Sequence, residues 1–346
     1  MTRDADWKVA IIGAGIAGAS AGQALKRQGA SVTVLDKGRG PGGRCATRRQ
    51  NALRFDHGAQ YFTARDSRFR DQVAAWVKAG AADRWRPRIG VLHDGVYSPS
   101  QRNDLWVGTP GMNDLAHNLL EGLDVRLNTQ VQAVDHRSGK WTLTQVSGED
   151  HIGFDQLLVT VPAPQVQPLL HQLYPEASET AKSASMLPCW SLMLAFKNPV
   201  DLPFDASKVE GVGPISWLAR NSSKPARTGN ELDCWVVQAD HDWSRKNIEL
   251  TCLEATEKLL GDFARICKQC SALISTPVHA AAHRWRYALA TPQATRQCMI
   301  DGAIGLAVAG DWLAGGRIEN AWLSGLAAAQ ALASARLEKV NASAGV

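Results

Sequence analysis

The pattern of apolar and polar positions begins with a strand, a turn, a helix and a second strand. A short run rich in β-branched residues extends from Lys8 to Ile12, and a glycine-rich turn follows from Gly13 to Gly18. Small residues with helical spacing then cover Ile16 to Gln28, and a second apolar run covers Ser31 to Leu35. This order predicts a βαβ unit at the start of the sequence.

The rest of the pattern predicts a mixture of strands and helices. Helices are expected at 67–78, 109–123, 247–268 and 321–337, strands at 125–127, 131–135, 141–146, 156–161, 189–196, 215–219, 232–239, 278–285 and 304–309, and a hairpin turn at 93–95. Residues 36–55 follow neither period. The C-terminal strand, turn and helix resemble the N-terminal unit, whereas the middle differs, which indicates one discontinuous domain with an insertion.

Composition describes an ordinary soluble globular protein. The 346 residues suit two domains, and 45% of them are hydrophobic and 21% charged. Lys and Arg number 38 against 33 Asp and Glu, a formal net charge of +5 that is spread along the chain. This mild excess favours a small anionic ligand and argues against a nucleic-acid partner. The 12 tryptophans are not explained by composition.

The sequence also indicates a location. No apolar stretch approaches the roughly 20 residues that a membrane-spanning helix requires. Only four consecutive strongly apolar residues, Val9 to Ile12, precede Gly13, which is too few for a secretory signal. The seven cysteines are dispersed and odd in number, as is typical of reduced thiols. We therefore expect a cytoplasmic protein without a membrane segment.

Glycines in the first turn indicate a dinucleotide. Residues 13–18 match the pattern G-x-G-x-x-G, leave a strand and open a helix, and Asp36 ends the second strand. In such a turn the backbone approaches a pyrophosphate, and the carboxylate accepts ribose hydroxyls. A second match at 38–43 is not followed by a helix pattern. The alternative for the first turn is a tight βα connection without a ligand.

Three further motifs favour a flavin over nicotinamide alone. Gly43 and Arg44 combine close backbone approach with a guanidinium, and residues 58–60 bring another Gly-Ala pair. A predicted strand ends in Gly310 and Asp311 before the final helix. A carboxylate at a strand end can bind a ribityl hydroxyl, and a helix N-terminus can stabilise negative charge on a reduced flavin.

These motifs resemble the flavin-containing amine oxidase superfamily and, within it, the bacterial renalases. The resemblance extends from about residue 8 to 335, and its segments are 58–66, 217–225, 283–288 and 321–325. It implies an α/β fold in which a Rossmann-like FAD/NAD(P)-binding domain carries an inserted mixed-sheet substrate domain. The implied FAD-binding domain comprises 1–75, 105–165 and 298–346, and the substrate domain 76–104 and 166–297.

The resemblance also implies an activity and a cofactor site. The enzyme would hold FAD non-covalently, oxidise 2- or 6-dihydro isomers of NAD(P)H, a small-molecule dinucleotide substrate, and pass the electrons to O2, giving H2O2. The residues implied for FAD are Gly13, Ala14, Gly15, Ile16, Ala17, Gly18, Asp36, Lys37, Gly43, Arg44, His57, Gly58, Ala59, Gln60, Val131, Gly310, Asp311, Asn320, Ala321 and Trp322. Asn320 departs from the family's glycine, and His57 stands where an apolar residue is expected.

Substrate-side residues are harder to select. Hydride transfer from a dihydropyridine needs alignment rather than removal of a proton, so we expect no indispensable general base. The catalytic candidates are Lys224, Arg220 and Tyr61, and the substrate-contact candidates are Tyr61, Trp217, Lys224, His283 and Trp285, with Trp312 and Trp322 as further aromatic walls. The alternatives are a solvated basic loop for the two cations and core packing for the aromatic residues.

Several alternatives remain open at this point. Cys267, Cys270, His279 and His283 have a spacing that suggests zinc, although a structural role is favoured and no metal is expected. Cys45 could link a flavin covalently or be a packed thiol. The function could instead be oxidation of a small amine by an oxidase or dehydrogenase. A non-catalytic FAD-binding protein is the third alternative, to which Asn320 points.

Overall fold

The computed structural model describes residues 7–102, 104–211, 213–227, 231–291 and 296–344. The strands are β1 Lys8–Ile12, β2 Ser31–Leu35, β3 Thr47–Gln50, β4 Leu53–Asp56, β5 Ala82–Arg84, β6 Ile89–His93, β7 Val96–Pro99, β8 Trp106–Gly108, β9 Asp124–Arg126, β10 Val131–Arg137, β11 Lys140–Gln145, β12 Asp150–Phe154, β13 Gln156–Val159, β14 Ser185–Phe196, β15 Ala206–Glu210, β16 Ile215–Arg220, β17 Asp233–Ala239, β18 His279–Thr291, β19 Cys298–Asp301 and β20 Leu306–Ala309. The helices are α1 Ile16–Arg27, α2 Ser67–Lys78, α3 Asp114–Leu119, α4 Gln167–Leu170, α5 Pro175–Ser183, α6 His241–Lys246, α7 Cys252–Gln269 and α8 Ile318–Ala344.

A six-stranded sheet joins distant parts of the chain in the order β19-β20-β13-β1-β2-β9. Its strands are parallel except for β19, which runs antiparallel to β20. One face packs against α1, α2, α3 and α8, and the other packs against β11, α4 and α5. This is the Rossmann-like arrangement expected from the first βαβ unit.

Helices α1 and α8 lie against each other at very close range. The Ser20 hydroxyl donates to the carbonyl of Trp322 over 2.9 Å. A Cβ on Gly325 would overlap the backbone carbonyl of Ala17, so this contact requires glycine. The N-terminal and C-terminal parts of the described chain are therefore packed into one layer.

A second, seven-stranded sheet has the order β18-β14-β17-β16-β15-β6-β7. It is mixed, because β15 and β6 pair in parallel whereas the other neighbours are antiparallel. One face packs against α7 in a large apolar core, and the other face meets β4 through a small cluster around Phe55. The two sheets confirm the predicted α/β fold class, and the exact domain boundaries stay a prediction.

Element bounds differ from expectation where local chemistry competes with periodicity. The helix expected at 109–123 is shorter and covers only α3; Pro110 disfavours helical backbone at Thr109, and Gly122, beyond the end of the helix, has a φ of +71°. Helix α7 begins at Cys252 rather than 247, since Thr251 and Glu254 form a capping box. Hairpin β3–β4 lies within the stretch expected to be irregular, and strand β12 was missed. None of the described helices is long and apolar enough to cross a membrane.

Candidate active site

The first glycine turn has the geometry of a phosphate cradle. Gly13 adopts a φ of +113°, which favours glycine, and a Cβ on Gly18 would overlap the carbonyl oxygen of Gly13. Beside Gly15, by contrast, a Cβ would meet nothing within 4 Å. Helix α1 begins directly after Gly15 without a side-chain cap and without an acidic residue in its first turn. Its first N–H groups are thus available to an anion such as a pyrophosphate.

Asp36 lies at the end of β2, next to this turn. Its carboxylate accepts hydrogen bonds from the N–H groups of Ala14 and Gly38, each over 2.6 Å. These contacts fix the carboxylate beside the turn, where it can also accept ribose hydroxyls. Lys37 points elsewhere, since its ammonium donates to Gln165 over 3.1 Å. Val131 is the first residue of β10 and is half-buried against the core that contains β11, α4 and α5.

The second glycine segment lies alongside the first. Gly42 donates to the carbonyl of Ala14 over 2.9 Å and pairs with Gly15 as a parallel bridge. A Cβ on Gly43 would lie 3.6 Å from the Cα of Gly15, and Gly43 has a φ of +54°. Two stretches of backbone without side chains therefore border the same open space, as a flat or extended cofactor requires.

Arg44 connects this segment to the far end of the chain. Its guanidinium donates two hydrogen bonds to Asp311, over 2.8 Å from Nη1 and 2.5 Å from Nη2. Asp311 is buried after β20, while the Arg44 side chain is 27% exposed. The bidentate pair joins two predicted cofactor residues that are far apart in sequence. Each carboxylate oxygen keeps a lone pair for a hydroxyl of the cofactor.

Residues 58–60 pack directly onto Arg44. Ala59 donates to the carbonyl of Arg44 over 2.9 Å, and a Cβ on Gly58 would overlap that same carbonyl. The carbonyl of Gly58 accepts from the Gln238 amide over 2.7 Å, and that of His57 accepts from the Trp285 indole over 2.9 Å. Strands β17 and β18 of the seven-stranded sheet thus hold the Gly-Ala pair against Arg44.

The N-terminus of α8 corrects the expectation for Asn320. This residue lies in the first turn of the helix rather than in a positive-φ turn, and its amide donates to the carbonyls of Ala314 and Gly315 over 2.9 Å each. Its neighbour Glu319 is buried and accepts from the N–H groups of Arg65 and Asp66 over 2.6 and 2.7 Å. Asn320 therefore closes the preceding loop, and the departure from glycine needs no unusual backbone.

A buried charge cluster, named the substrate-side corner, contains the predicted substrate contact Lys224. Asp56 is fully buried and accepts from Arg227 over 2.7 Å and from Lys224 over 3.2 Å. The Lys224 ammonium also lies 3.2 Å from the Gln60 side-chain oxygen. Lys224 is only 1% exposed, so the alternative of a solvated basic loop is wrong for this residue. The cluster holds two cations for one carboxylate.

Burial and charge shift both pKa values in this cluster. Burial lowers the pKa of Lys224 to about 8, although the charge of Asp56 opposes the change. Burial alone would raise the pKa of Asp56, but the charges of Lys224 and Arg227 hold it well below its usual range. Asp56 is therefore ionised at neutral pH, and Lys224 is mostly protonated at pH 7.

Arg220 does not join this cluster. Its guanidinium donates to the carbonyl of Val200 over 2.5 Å and lies 5.0 Å from the ring centre of Trp235. Trp235 belongs to the core between the seven-stranded sheet and α7. The structure thus places Arg220 on the opposite face of the sheet from Lys224 and does not bring these two catalytic candidates together.

Two of the predicted aromatic residues form one wall. The rings of Tyr61 and Trp217 have centres 5.7 Å apart, and Trp85 lies 6.4 Å from Tyr61. The Trp217 indole nitrogen is buried without a hydrogen-bond partner among the described residues. Trp312 and Trp322 are different, because both are buried in the cores around the six-stranded sheet. For these two the core alternative is correct.

His57, His283 and Trp285 form an aromatic cluster beside Gly58, with the two histidine rings edge to face. The ring centres of the two histidines are 4.7 Å apart, and His283 contacts the Arg48 guanidinium over 3.2 Å. Burial, aided by the nearby charges of His283 and Arg48, lowers the pKa of His57 to about 3. Burial and the charge of Arg48 lower the pKa of His283 to about 4. Both rings are uncharged at neutral pH.

The cysteine alternatives lose their support. Cys267 and Cys270 lie in the apolar core between α7 and one face of the seven-stranded sheet. His279 stacks on Phe55 at the other face. The described residues contain no group of three or more side chains arranged to hold a metal ion. Cys45 is buried, and burial raises its pKa to about 12, so it is a packed thiol rather than a reactive thiolate.

Some site residues were not anticipated from the sequence. Arg227, Asn221 and Glu319 were not selected, yet Asn221 is buried and bonds Asp56 and Arg54 on β4. Their partners are more than 160 residues away, so no spacing pattern reveals them. The one usable signal is chemical, because a buried charge such as Asp56 must find a counter-charge.

These features together define the class of protein. A Rossmann-like turn, a second glycine segment beside it and a carboxylate brought from the C-terminal part of the chain form a dinucleotide-flavin site rather than a simple NAD site. The open space at Gly15 and the uncapped α1 fit the FAD pyrophosphate. The residues present therefore suit FAD, which would lie along Gly15, Gly43, Arg44 and Asp311.

Comparison with known families agrees with this class. Residues 94–333 match the family model of flavin containing amine oxidoreductases, and residues 11–76 match that of NAD(P)-binding Rossmann-like domains. The first match covers more than half of the chain. The protein belongs to the flavin containing amine oxidoreductase family, and it is an FAD-dependent oxidoreductase.

Individual relatives are more distant. Cyclohexylamine oxidase from Brevibacterium oxydans IH-35A is 14% identical with a TM-score of 0.72, covering 96% of this chain and 100% of that one. A reduced UDP-galactopyranose mutase is 14% identical with a TM-score of 0.73, covering 93% and 94%. At these identities the likeness shows the fold alone.

A curated relative matches a shorter stretch. The tRNA 5-methylaminomethyl-2-thiouridine biosynthesis bifunctional protein MnmC of Thiobacillus denitrificans (strain ATCC 25259 / T1) is 33% identical over 128 residues. The match covers 32% of this chain and 20% of that protein, so the chain spans about a fifth of its length.

Proposed function

We propose that this protein is a renalase-like FAD-dependent oxidase that converts 2- or 6-dihydro isomers of NAD(P)H to NAD(P)⁺. In this reaction a hydride and its electron pair leave the dihydropyridine ring. Dioxygen accepts the two electrons with the hydride-derived proton and one solvent proton, which gives H2O2. The resemblance of segments 58–66, 217–225, 283–288 and 321–325 to the bacterial renalases supports the proposal.

The observation that carries it is the charge of the substrate-side corner. Asp56 is shared by two buried cations, Lys224 and Arg227, so the corner has an excess of one positive charge when Lys224 is protonated. A primary or secondary amine is cationic at neutral pH and is repelled there, whereas a dinucleotide carries negative phosphates. The corner therefore favours the dinucleotide.

The chain's own residues supply alignment rather than proton transfer. When bound, FAD supplies a two-electron acceptor that dioxygen can reoxidise. Tyr61 and Trp217 offer an aromatic wall for a flat nicotinamide ring. Lys224 is occupied by Asp56 and Gln60, as expected where no base is required.

One observation favours the second candidate, oxidation of a small amine. Burial lowers the pKa of Lys224 to about 8, so a substantial fraction is neutral at pH 8 and above. A neutral lysine could accept a proton from a bound ammonium group. Under this alternative, flavin reduction by an amine would accelerate as the pH rises through 8.

The two candidates are separated by anaerobic mixing of the FAD-loaded protein with each substrate class. The flavin absorbance is followed after addition of 2-dihydro-NAD, 6-dihydro-NAD, ordinary NADH or a panel of amines. We expect rapid bleaching by a dihydro isomer and one H2O2 per NAD⁺ after admission of air. Rapid bleaching by an amine alone would replace the leading proposal with the second.

A single substitution sharpens this experiment. Trp217→Leu removes half of the aromatic wall, so we expect KM for a dihydronicotinamide substrate to rise about tenfold. Trp243→Leu, at a half-buried tryptophan beside the α7 core, is the matched control. An unchanged KM in Trp217→Leu would remove the aromatic wall from the proposal.

A further inference from the structure

A cleft opens beside the charge cluster, outside the residues expected for FAD. It has a volume of about 530 Å³ and lies between Asp83, Arg84 and Arg86 on one side and residues 222–226 on the other. Lys224, at its floor, is the buried end of the cluster with Asp56. The cleft thus lies next to the substrate-side corner, whose Lys224 and Asp56 side chains are themselves closed to solvent.

The surface of the cleft carries more positive than negative charge. Arg84 and Arg86 line it against the carboxylate of Asp83, and the buried ammonium of Lys224 next to them is paired with Asp56. The Arg84 guanidinium lies 4.7 Å from the ring centre of Trp106, which holds it in place. Arg86 is exposed and forms no ion pair with any residue in the described ranges. Converging cations of this kind suit a ligand with several anionic oxygens.

The walls of the cleft are fixed by buried contacts. The Trp85 indole donates to the Ser223 hydroxyl over 3.1 Å, and Ser223 donates to the carbonyl of Arg220 over 2.7 Å. The Lys224 ammonium lies 5.4 Å from the Trp85 ring centre. Ala226 adopts a φ of +57°, an uncommon conformation for a residue with a side chain. This side of the cleft is therefore preorganised.

Trp85 also relates the cleft to the aromatic wall. The same ring that supports Ser223 and Lys224 lies 6.4 Å from Tyr61. A ligand whose flat ring lies against Tyr61 and Trp217 therefore has the cleft as its neighbouring anion-binding space. In a dinucleotide, the nicotinamide and the pyrophosphate are separated by one ribose, which suits two adjacent subsites.

We propose that this cleft binds the pyrophosphate of the dinucleotide substrate through Arg84 and Arg86. The inference rests on the proposed function for the identity of the substrate, but its chemistry is that of any pyrophosphate ligand. It assigns to two exposed arginines a role in substrate selection that is separate from FAD binding.

Titration calorimetry on the FAD-loaded protein tests the cleft directly. FAD fills the glycine turn, so inorganic pyrophosphate and ADP report on other sites. We expect both to bind to the native protein and to bind about tenfold or more weakly to Arg86→Glu. Lys268→Glu, at an exposed lysine in the last turn of α7, reverses the same charge elsewhere and should bind like the native protein. Undetectable binding, or equal binding to Arg86→Glu, would overturn the cleft.

A kinetic arm separates this proposal from the proposed function. Arg86→Glu should raise KM for a dihydronicotinamide dinucleotide more than for the corresponding riboside, which has no phosphate, and Arg84→Gln should act in the same direction. If no dihydronicotinamide bleaches the flavin while pyrophosphate binding still depends on Arg86, the cleft is supported and the proposed function is not. If turnover occurs and Arg86→Glu changes the two KM values equally, the cleft is refuted and the function stands.

Discussion

The cofactor side and the substrate side of the site are built in different ways. On the cofactor side the backbone makes the surface, and Gly15, Gly43 and Gly58 are positions where a side chain would fill the space or overlap a neighbour. On the substrate side, buried side chains form the site, with Asp56 and Lys224 at the centre. A backbone surface tolerates only glycine, whereas a charge cluster depends on its partners. Four substitutions test this contrast.

The largest effect is expected at Asp56. Asp56→Asn keeps the shape but leaves two buried cations without a counter-charge, so the free energy of unfolding should fall by about 3–5 kcal/mol. Urea denaturation measures it. Asp242→Asn, in an exposed pair with Arg245, should cost less than about 1 kcal/mol.

A second variant keeps the Asp56 prediction testable if the single substitution folds poorly. Asp56→Asn combined with Lys224→Met removes one of the unpaired charges and should recover part of the lost stability. If the double variant is no more stable than Asp56→Asn, charge imbalance is not the cause.

Next is Asp311, at the boundary of the two sides. Asp311→Ala removes the partner of Arg44 and an acceptor for the cofactor, so FAD should bind about tenfold to a hundredfold more weakly, equivalent to about 1.5–3 kcal/mol. Flavin fluorescence titration measures the dissociation constant. Asp124→Ala, in an exposed pair with Arg126, is the control. Unchanged FAD content in Asp311→Ala would exclude this residue from the site.

Gly15→Ala isolates the backbone contribution. The new methyl group meets no protein atom within 4 Å, so the free energy of unfolding without FAD should change little. The methyl would occupy the space proposed for the pyrophosphate, so FAD affinity should fall about tenfold. Gly261→Ala, at an open position within α7, should leave FAD binding unchanged. Equal FAD affinity in both variants would show that the cofactor does not approach Gly15.

The last effect concerns the cluster of His57 and His283 and is spread over several pH units. His57 has a pKa of about 3 in the folded protein against 6.5 when unperturbed, so the unfolded chain binds more protons between these values. The free energy of unfolding should therefore fall as the pH drops below 6.5, by up to about 1.4 kcal/mol per pH unit for this group.

His57→Leu should flatten that dependence, and denaturation at saturating FAD from pH 7 to 5 measures the slope. His117→Gln, at an exposed histidine in α3, is the matched control. A slope that is identical in the native protein and in His57→Leu would contradict the burial of a neutral imidazole at this position.

The contrast also explains what sequence could predict. The bounds of β1, β2 and α2 agree with the expected ranges, because their periodicity is local. The turn at 13–18 is recognisable for the same reason. Arg227 and Lys224 reach Asp56 across 171 and 168 positions, and only tertiary packing brings them together. Sequence alone could not distinguish Lys224 from Arg220. The two residues are only four positions apart, but one ends a strand and the other lies in the loop that follows, and their side chains lie on opposite faces of the sheet.

The tryptophans are a second feature whose place in the structure could not be predicted from the sequence. Composition left their abundance unexplained, and in the structure Trp76, Trp85, Trp141, Trp190, Trp235 and Trp312 are among the largest fully buried side chains. Large aromatic side chains contribute most to burial, so the interior uses the majority of them. Trp217 and Trp285 are the two selected tryptophans that lie beside the site without being fully buried.

Because α1 and α8 pack against each other, the predicted cofactor site is completed late in the synthesis of the chain. Arg44 is synthesised well before its partner Asp311, which follows it by 267 positions. Ala17 is likewise synthesised well before Gly325, against which it packs. Since domains form as their residues emerge, the first βαβ unit must persist without its last layer while the second sheet is made. The pair that Arg44 and Asp311 form is therefore completed only after the second sheet has been made.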